Sequence, residues 1–116
     1  EGLFNVGYVD IPQVIKNTQT GPGLTDIGKH WFHTDSGTVT YAIDSAIDFP
    51  IGSVLTFIND TGAGDITITV TGASLVLAGT GLVTSLSVKL AADGIATAIK
   101  TTASKWLING VGLTAA

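Results

Sequence analysis

The chain has 116 residues, which is enough for one domain with a single modest core and too few for two independent domains. Only 12% of the residues are charged, the net charge is −4 and all basic residues are lysines, which argues against nucleic acid and against an anionic membrane surface as partners. The chain contains no cysteine, no apolar run near the roughly 20 residues of a membrane span, and no recognisable secretion leader.

Residues 1–23 differ in character from the rest and are predicted to form an extended arm and linker. The segment is rich in apolar residues, carries Pro12 in its middle and ends in Gly21-Pro22-Gly23, a strong break signal. Such an apolar segment is unlike a disordered tail and needs a partner. It either forms the first strand of its own domain or lies on a neighbouring subunit, and we expect the second. The candidate interaction residues are Phe4, Val6, Tyr8, Val9, Ile11, Val14 and Ile15.

From residue 24 to residue 116 the pattern indicates a domain of about eight short strands. Strands are predicted over residues 29–34, 38–43, 53–59, 65–71, 74–77, 85–90, 95–99 and 105–109. Asp35-Ser36-Gly37 and the Gly-rich residues 60–64 are predicted to close hairpins, and residues 91–94 and 101–104 to form turns. This spacing is typical of an antiparallel β-sandwich or jelly-roll-like fold.

Residues 65–71 give the clearest evidence for a half-buried strand. Ile66, Ile68 and Val70 alternate with threonines, which is period two with β-branched residues on both faces. The same period recurs in residues 85–90. We therefore predict that these residues point into the core: Ile66, Ile68, Val70, Leu86, Val88 and Leu90.

The candidate metal ligands are few. His30 and His33 stand three apart, so on a strand their rings point to opposite faces and do not converge on one ion. Asp60 and Asp65 bracket a Gly-rich loop, but two carboxylates make a weak Ca²⁺ site and both residues also favour turns. We therefore predict no metal site and no cofactor.

Catalytic motifs are also missing from the sequence. Most aspartates fall at turns, and neither a nucleophile elbow, a P-loop nor a dinucleotide fingerprint is present. The aromatic residues Trp31, Tyr41 and Trp106 are expected in the core, with a surface that stacks on sugars as the alternative. The sequence thus predicts a protein that is not an enzyme.

Four stretches resemble a family of tailed-bacteriophage virion β-domains found in capsid decoration, head-fibre and tail-fibre proteins. They read LTDIGKHWFHTDSGTVTYAI, FPIGSVLTFINDTGAGDITITV, LVLAGTG and ADGIATAIKTTASKWLINGVGLT, and together cover most of residues 24–114. The similar elements are the Phe-Pro corner with its following strand and Asn-Asp loop, and a closing pair that carries Gly-x-Ala-x-x-x-Lys and Lys-Trp-x-x-x-Gly. The resemblance implies a non-enzymatic, usually trimeric β-domain, and it carries over no functional residue.

Composition and resemblance together predict a structural role in a virus particle. A charge-poor, apolar small domain is expected to bury much of its surface against other subunits. We expect a homotrimer that binds the major capsid protein or another virion protein as a decoration (cement) protein, located in the virion after synthesis in the host cytoplasm. The alternative is a tail-fibre or head-fibre domain that binds a host-surface glycan.

Overall fold

The computed structural model describes residues 11–79, 82–84 and 87–115, and the all-β prediction is confirmed for these residues. Their one helical element is a turn of 3-10 helix at Leu24–Asp26, which begins where the Gly23 amide donates to the Asp26 carboxylate at 2.7 Å. Nine described strands follow the chain order: β1 Gln13–Ile15, β2 His30–His33, β3 Val39–Asp44, β4 Val54–Asn59, β5 Ile66–Thr71, β6 Ser74–Leu77, β7 Leu82–Thr84, β8 Val88–Thr102 and β9 Lys105–Ala115.

The strands form one mixed, hydrogen-bonded sheet with two arms. The wide arm has the strand order β1-β2-β4-β8-β9-β6-β7 and uses residues 95–102 of β8. The narrow arm consists of β3 and β5 with residues 88–90 of β8, and residues 113–115 of β9 continue beside them. Strand β8 therefore belongs to both arms and joins them.

The sheet is mixed rather than antiparallel, because β1–β2, β2–β4, β3–β5 and β6–β9 are parallel pairs. The two hairpins predicted at residues 35–37 and 60–64 are wrong for the same reason. Strand β2 pairs with β4 instead of β3, and β3 pairs with β5. Each predicted hairpin loop is a corner that carries the chain from the wide arm into the narrow arm.

The two corners stack on each other, which explains the parallel pairing. Three backbone hydrogen bonds join them: Asp60 N to His33 O, Gly64 N to Asp35 O, and Val39 N to Asp65 O. Gly64 lies so close to the first corner that a Cβ atom there would be 2.5 Å from the Gly37 carbonyl carbon. Turn residues identify both loops in the sequence. They do not tell whether the next strand pairs with the preceding one in a hairpin or belongs to the facing arm.

The β8–β9 hairpin is longer than predicted and is bent. Its turn falls between Thr102 and Lys105 as expected, but the turn predicted at residues 91–94 lies within β8. There Asp93 takes a φ of +62°, and the facing Gly112 of β9 takes +87° beside a register shift. These two positive φ values bend both strands together, so the hairpin leaves one arm, passes through a bulge at residues 91–94 and resumes its pairing in the other arm.

One apolar core lies between the inner faces of the two arms. Trp31 of β2 meets Tyr41 of β3 edge to face at 4.9 Å between ring centroids, and Phe57 of β4 lies 5.7 Å from Tyr41. Of the predicted core residues, Ile66, Ile68, Val70, Val88 and Leu90 are buried, as predicted, and Leu86 lies outside the described residues.

Strand β1 falls within the residues predicted to form the arm. It pairs in parallel with β2 of its own chain, and Val14 packs against the core. Beyond β1, the Lys16 carbonyl accepts the Tyr41 hydroxyl at 2.6 Å, and Thr20 makes an isolated bridge to Tyr41 of β3. The part of the arm that the structure describes thus lies along the sheet of its own domain.

The alternation in β5 predicts unequal effects of two neighbouring substitutions. Ile68 is fully buried and Thr69 is half-buried on the opposite face. Ile68→Ala should lower the free energy of unfolding by about 2–5 kcal/mol because it leaves a cavity. Thr69→Ala should cost less than about 1 kcal/mol. Urea titration followed by tryptophan fluorescence measures both, and equal losses would contradict the assigned inner face.

The buried Tyr41 predicts a loss of stability in alkali. Desolvation by burial raises the pKa of Tyr41 from its ordinary value of 10.0 to about 12. Because the folded pKa is the higher one, its contribution to stability is complete below pH 10 and is lost as the pH rises toward 12. Tyr41→Phe should remove this component of the alkaline decline. The measurement is thermal unfolding between pH 8 and 12, and identical slopes for both proteins would contradict the prediction.

Candidate functional site

His30 and His33 do not form a metal site in this structure. They lie on opposite faces of β2, as predicted, with His30 partly exposed and His33 fully buried. His33 is therefore on the core side of the strand. Among the described residues, no group of three or more histidine, aspartate or glutamate side chains is placed to hold a metal ion.

The buried His33 belongs to a polar network that ties the arms together. The amide nitrogen of Asn59 donates to the carbonyls of Gly64, at 2.9 Å, and Leu90, at 3.2 Å. The Asn59 amide oxygen therefore faces His33 Nδ1 at 2.8 Å, and Nδ1 must carry the proton in this bond. In the neutral ring, Nε2 is then an acceptor, and it is buried without a hydrogen-bond partner, as is the indole nitrogen of Trp31. The network joins the end of β4, the second corner and β8.

Asp60 and Asp65 stabilise the corner between β4 and β5 by accepting hydrogen bonds from backbone amides. The Asp60 carboxylate accepts the amide of Thr61 at 2.8 Å, and its backbone carbonyl accepts the amide of Ala63. Asp65 uses its backbone carbonyl to accept the amide of Val39. These bonds are those of a turn, as the sequence analysis favoured.

Lys100 is a buried cation that the sequence analysis did not single out. It lies on the inner side of β8, and its ammonium donates to the Phe49 carbonyl at 2.7 Å. Its backbone also exchanges hydrogen bonds with Ser53 and Gly52. Together these bonds hold the Phe-Pro corner against β8, so the position of Lys100 is explained by structure alone.

The aromatic residues considered for sugar stacking are in the core. Trp31, Tyr41 and Trp106 are all buried, and Trp106 packs edge to face on Phe49. The prediction that they are core residues is confirmed. They offer no exposed ring on which a sugar could stack.

An open groove of about 550 Å³ lies beside β3 and is lined in part by Gln19, Thr40, Asp44 and Thr71. The Asp44 carboxylate is already engaged, since it accepts the amide of Ala46 at 2.9 Å. The groove has no aromatic side chain in its lining and no buried polar group directed into it. It resembles a surface depression more than a built binding site.

The most distinctive part of the surface is the side of the wide arm that points away from the core, which we call the outer face. Its side chains form three rows that run across the strands, as the register of each strand pair shows. The first apolar row consists of Ile15, Phe32, Ile58, Ile95 and Val111. The polar row consists of Gln13, His30, Thr56, Thr97 and Asn109. The second apolar row consists of Val54, Ile99, Leu107 and Val76.

The outer face is open to solvent in the single chain. Val111 is 77% exposed and Ile95 is 46% exposed, while Ile99 and Leu107 are also classed as exposed. None of the three rows contains a lysine or a carboxylate. A continuous exposed apolar surface is the kind of feature that proteins use for contacts, so the outer face is the candidate functional surface.

The predicted interaction residues have different positions. Ile15, at 60% exposure, begins the first apolar row, and Ile11, at 54%, lies just before β1. Val14 points the other way and packs against the core. The remaining four, Phe4, Val6, Tyr8 and Val9, lie outside the described residues.

The outer face was not predicted from the sequence, because the sequence analysis did not establish which of the alternating side chains of β8 and β9 face the core. Large and small residues alternate in β8, and the small residues Ala96 and Ala98 are the buried ones. Ala96 faces Phe57 across the strand pair, so a small side chain there leaves room for the ring. One signal in the sequence could have identified the outer face. Trp106 and Ile108 are two large apolar residues on the same side of β9, and because they are buried, Leu107 between them points outward.

Comparison with protein-family models, with curated proteins and with solved structures found no match to this chain. Among the described residues, no helix has the length and apolar character needed to cross a membrane. Function is therefore argued from the surface and the fold.

The Asn59 network predicts a large loss of stability on truncation. Asn59→Ala removes the hydrogen bonds to the carbonyls of Gly64 and Leu90 and leaves the Nδ1 proton of the buried His33 without its partner, which should cost at least about 3 kcal/mol. Gln19→Ala removes an exposed amide and should change the free energy of unfolding by less than about 0.5 kcal/mol. Urea titration compares the two variants, and a similar small effect of both would contradict the role of the network.

Proposed function

We propose that this chain is a non-enzymatic structural protein of a bacteriophage particle, a homotrimer that decorates and stabilises the surface of the capsid. The observation that carries the proposal is the outer face, where exposed apolar side chains lie in rows without any lysine or carboxylate. Covering such a surface removes apolar side chains from water and so stabilises the assembled state. Assembly is therefore the function that the geometry supports best.

The composition supports the same proposal. With 12% charged residues and a mean hydropathy of +0.48, the chain has little polar material to cover a separate small domain. The described carboxylates lie mostly at turns and corners, as Asp35 and Asp60 illustrate. The three rows of the outer face thus contain no carboxylate.

The proposal includes a fold class, which is argued from the two arms. Because the inner faces of both arms pack on one core, we propose the β-sandwich or jelly-roll-like class for this domain, with parallel pairs inside each arm. The Phe-Pro corner and the closing β8–β9 pair, which carry the resemblance, are the elements that Lys100 and Trp106 hold together. The resembling motifs are structural in this chain.

The alternative role is a tail-fibre or head-fibre domain that binds a glycan on the host surface. It would place the ligand in the groove beside β3, whose lining includes Gln19, Asp44 and threonine hydroxyls. The burial of Trp31, Tyr41 and Trp106 removes these rings as a stacking surface for a sugar, which weakens this alternative. We therefore favour the decoration role.

The proposed function is tested by locating the chain on the particle. Phage particles purified from a lysate are labelled with gold-conjugated antibodies against this chain and imaged by electron microscopy. Label spread over the head is expected for a decoration protein. Label confined to the tail or to fibre tips would support the alternative role, and particles without label would overturn the assignment to the virion.

A further inference from the structure

We infer that the outer face is the surface through which copies of this chain contact each other in the oligomer. The inference rests on the proposed homotrimer and adds the surface and the residues that form it. Its central elements are Ile95 of β8 and Val111 of β9, which lie opposite each other in the register of the β8–β9 hairpin. Both are exposed in the single chain.

The absence of charge on this face makes a second copy a suitable occupant. The whole chain carries a net charge of −4, so two copies repel each other over most orientations. The three rows of the outer face contain no lysine and no carboxylate, and contact through them brings no like charges into close approach. Charged side chains lie at the margins of the face. Asp60 is two residues after Ile58, and Lys105 is two residues before Leu107.

The polar row gives the face the chemistry to meet its own copy. Asn109, Thr97 and Thr56 each carry both donor and acceptor atoms, so each can hydrogen-bond to a different polar group of a neighbouring copy, as the non-identical surfaces of a threefold contact require. Gln13 and His30 already bond to each other at 3.1 Å and close the row at the edge of the sheet. Two apolar rows on either side of this row exclude water from it once the face is covered.

The size of the face fits a contact between small subunits. Six strands about 4.8 Å apart span roughly 24 Å, and the two apolar rows lie four residues, or roughly 14 Å, apart along the strands. These dimensions give roughly 340 Å², a little under half of the roughly 800 Å² per partner that a standard stable complex buries, so side-chain relief and the margins complete the contact. Ile11, just before β1, extends the apolar surface beyond Ile15.

The first experiment measures the mass of charged variants in solution. Ile95→Lys and Val111→Lys are combined in one protein, and Ile51→Lys is the matched control, because Ile51 is 67% exposed at the Phe-Pro corner outside the three rows. We expect light scattering to give three times the 11.8 kDa mass of one chain for the wild type and the control. The double variant should be monomeric, with a dissociation constant raised at least about 100-fold.

The outcomes separate this inference from the proposed function. A wild type that stays monomeric at high micromolar concentration contradicts the proposed homotrimer itself. An oligomeric wild type whose folded double variant keeps the same mass overturns the assignment of the outer face and leaves the homotrimer standing. Circular dichroism establishes whether the double variant is folded.

A second measurement decides the case if the double variant does not fold. The chain contains no cysteine, so Asn109→Cys places a unique thiol in the polar row, and Ser36→Cys places one on the exposed first corner as the control. In the oligomer, the thiol at position 109 should react with a maleimide at least about tenfold more slowly than the thiol at position 36. Equal rates in a protein that remains oligomeric would overturn the inference.

Discussion

The structure depends on one strand that serves two arms. Strand β8 pairs with β5 through residues 88–90 and with β4 through residues 95–99, while β9 follows it along its other edge. The bend between these segments sets the angle at which the arms enclose the core. Asn59 fixes this bend from inside by hydrogen-bonding to Leu90 of β8 and to Gly64 of the second corner. Because Asn59 and Leu90 are buried, no water is available to replace the bond between them.

The distribution of side-chain size across β8 and β9 connects the core to the surface. Aromatic rings from β2, β3 and β4 fill the space between the arms, so the strand facing them must contribute small residues, and Ala96 and Ala98 do so. The larger residues of the same strand, Ile95 and Ile99, then point outward. The packing demand of the interior thereby produces an apolar exterior on the outer face.

Much of the fold could be predicted from local patterns, and the rest depended on contacts between distant residues. Period two in residues 66–71 predicted β5 and its buried side, and the three aromatic core residues were also predicted. The parallel pairing was missed because loops such as Asp35-Ser36-Gly37 specify a change of direction without specifying the partner strand. Of the candidate surface, only Ile11 and Ile15 were predicted. The outer face depends on the strand register, which aligns residues from five or more strands into rows.

The stacked corners also bear on how the chain reaches its native state. The parallel pairs bring together residues far apart in sequence, such as His30 with Thr56 and Val39 with Ile66. The β8–β9 hairpin, in contrast, closes locally around the turn between Thr102 and Lys105 near the carboxyl end. Since loop-closure entropy opposes the distant pairings, a chain of this topology folds slowly compared with helical proteins of its size. During synthesis β8 emerges after β2 to β5, so the pairing of β4 and β5 with β8, which joins the two arms, forms only after these strands have been made.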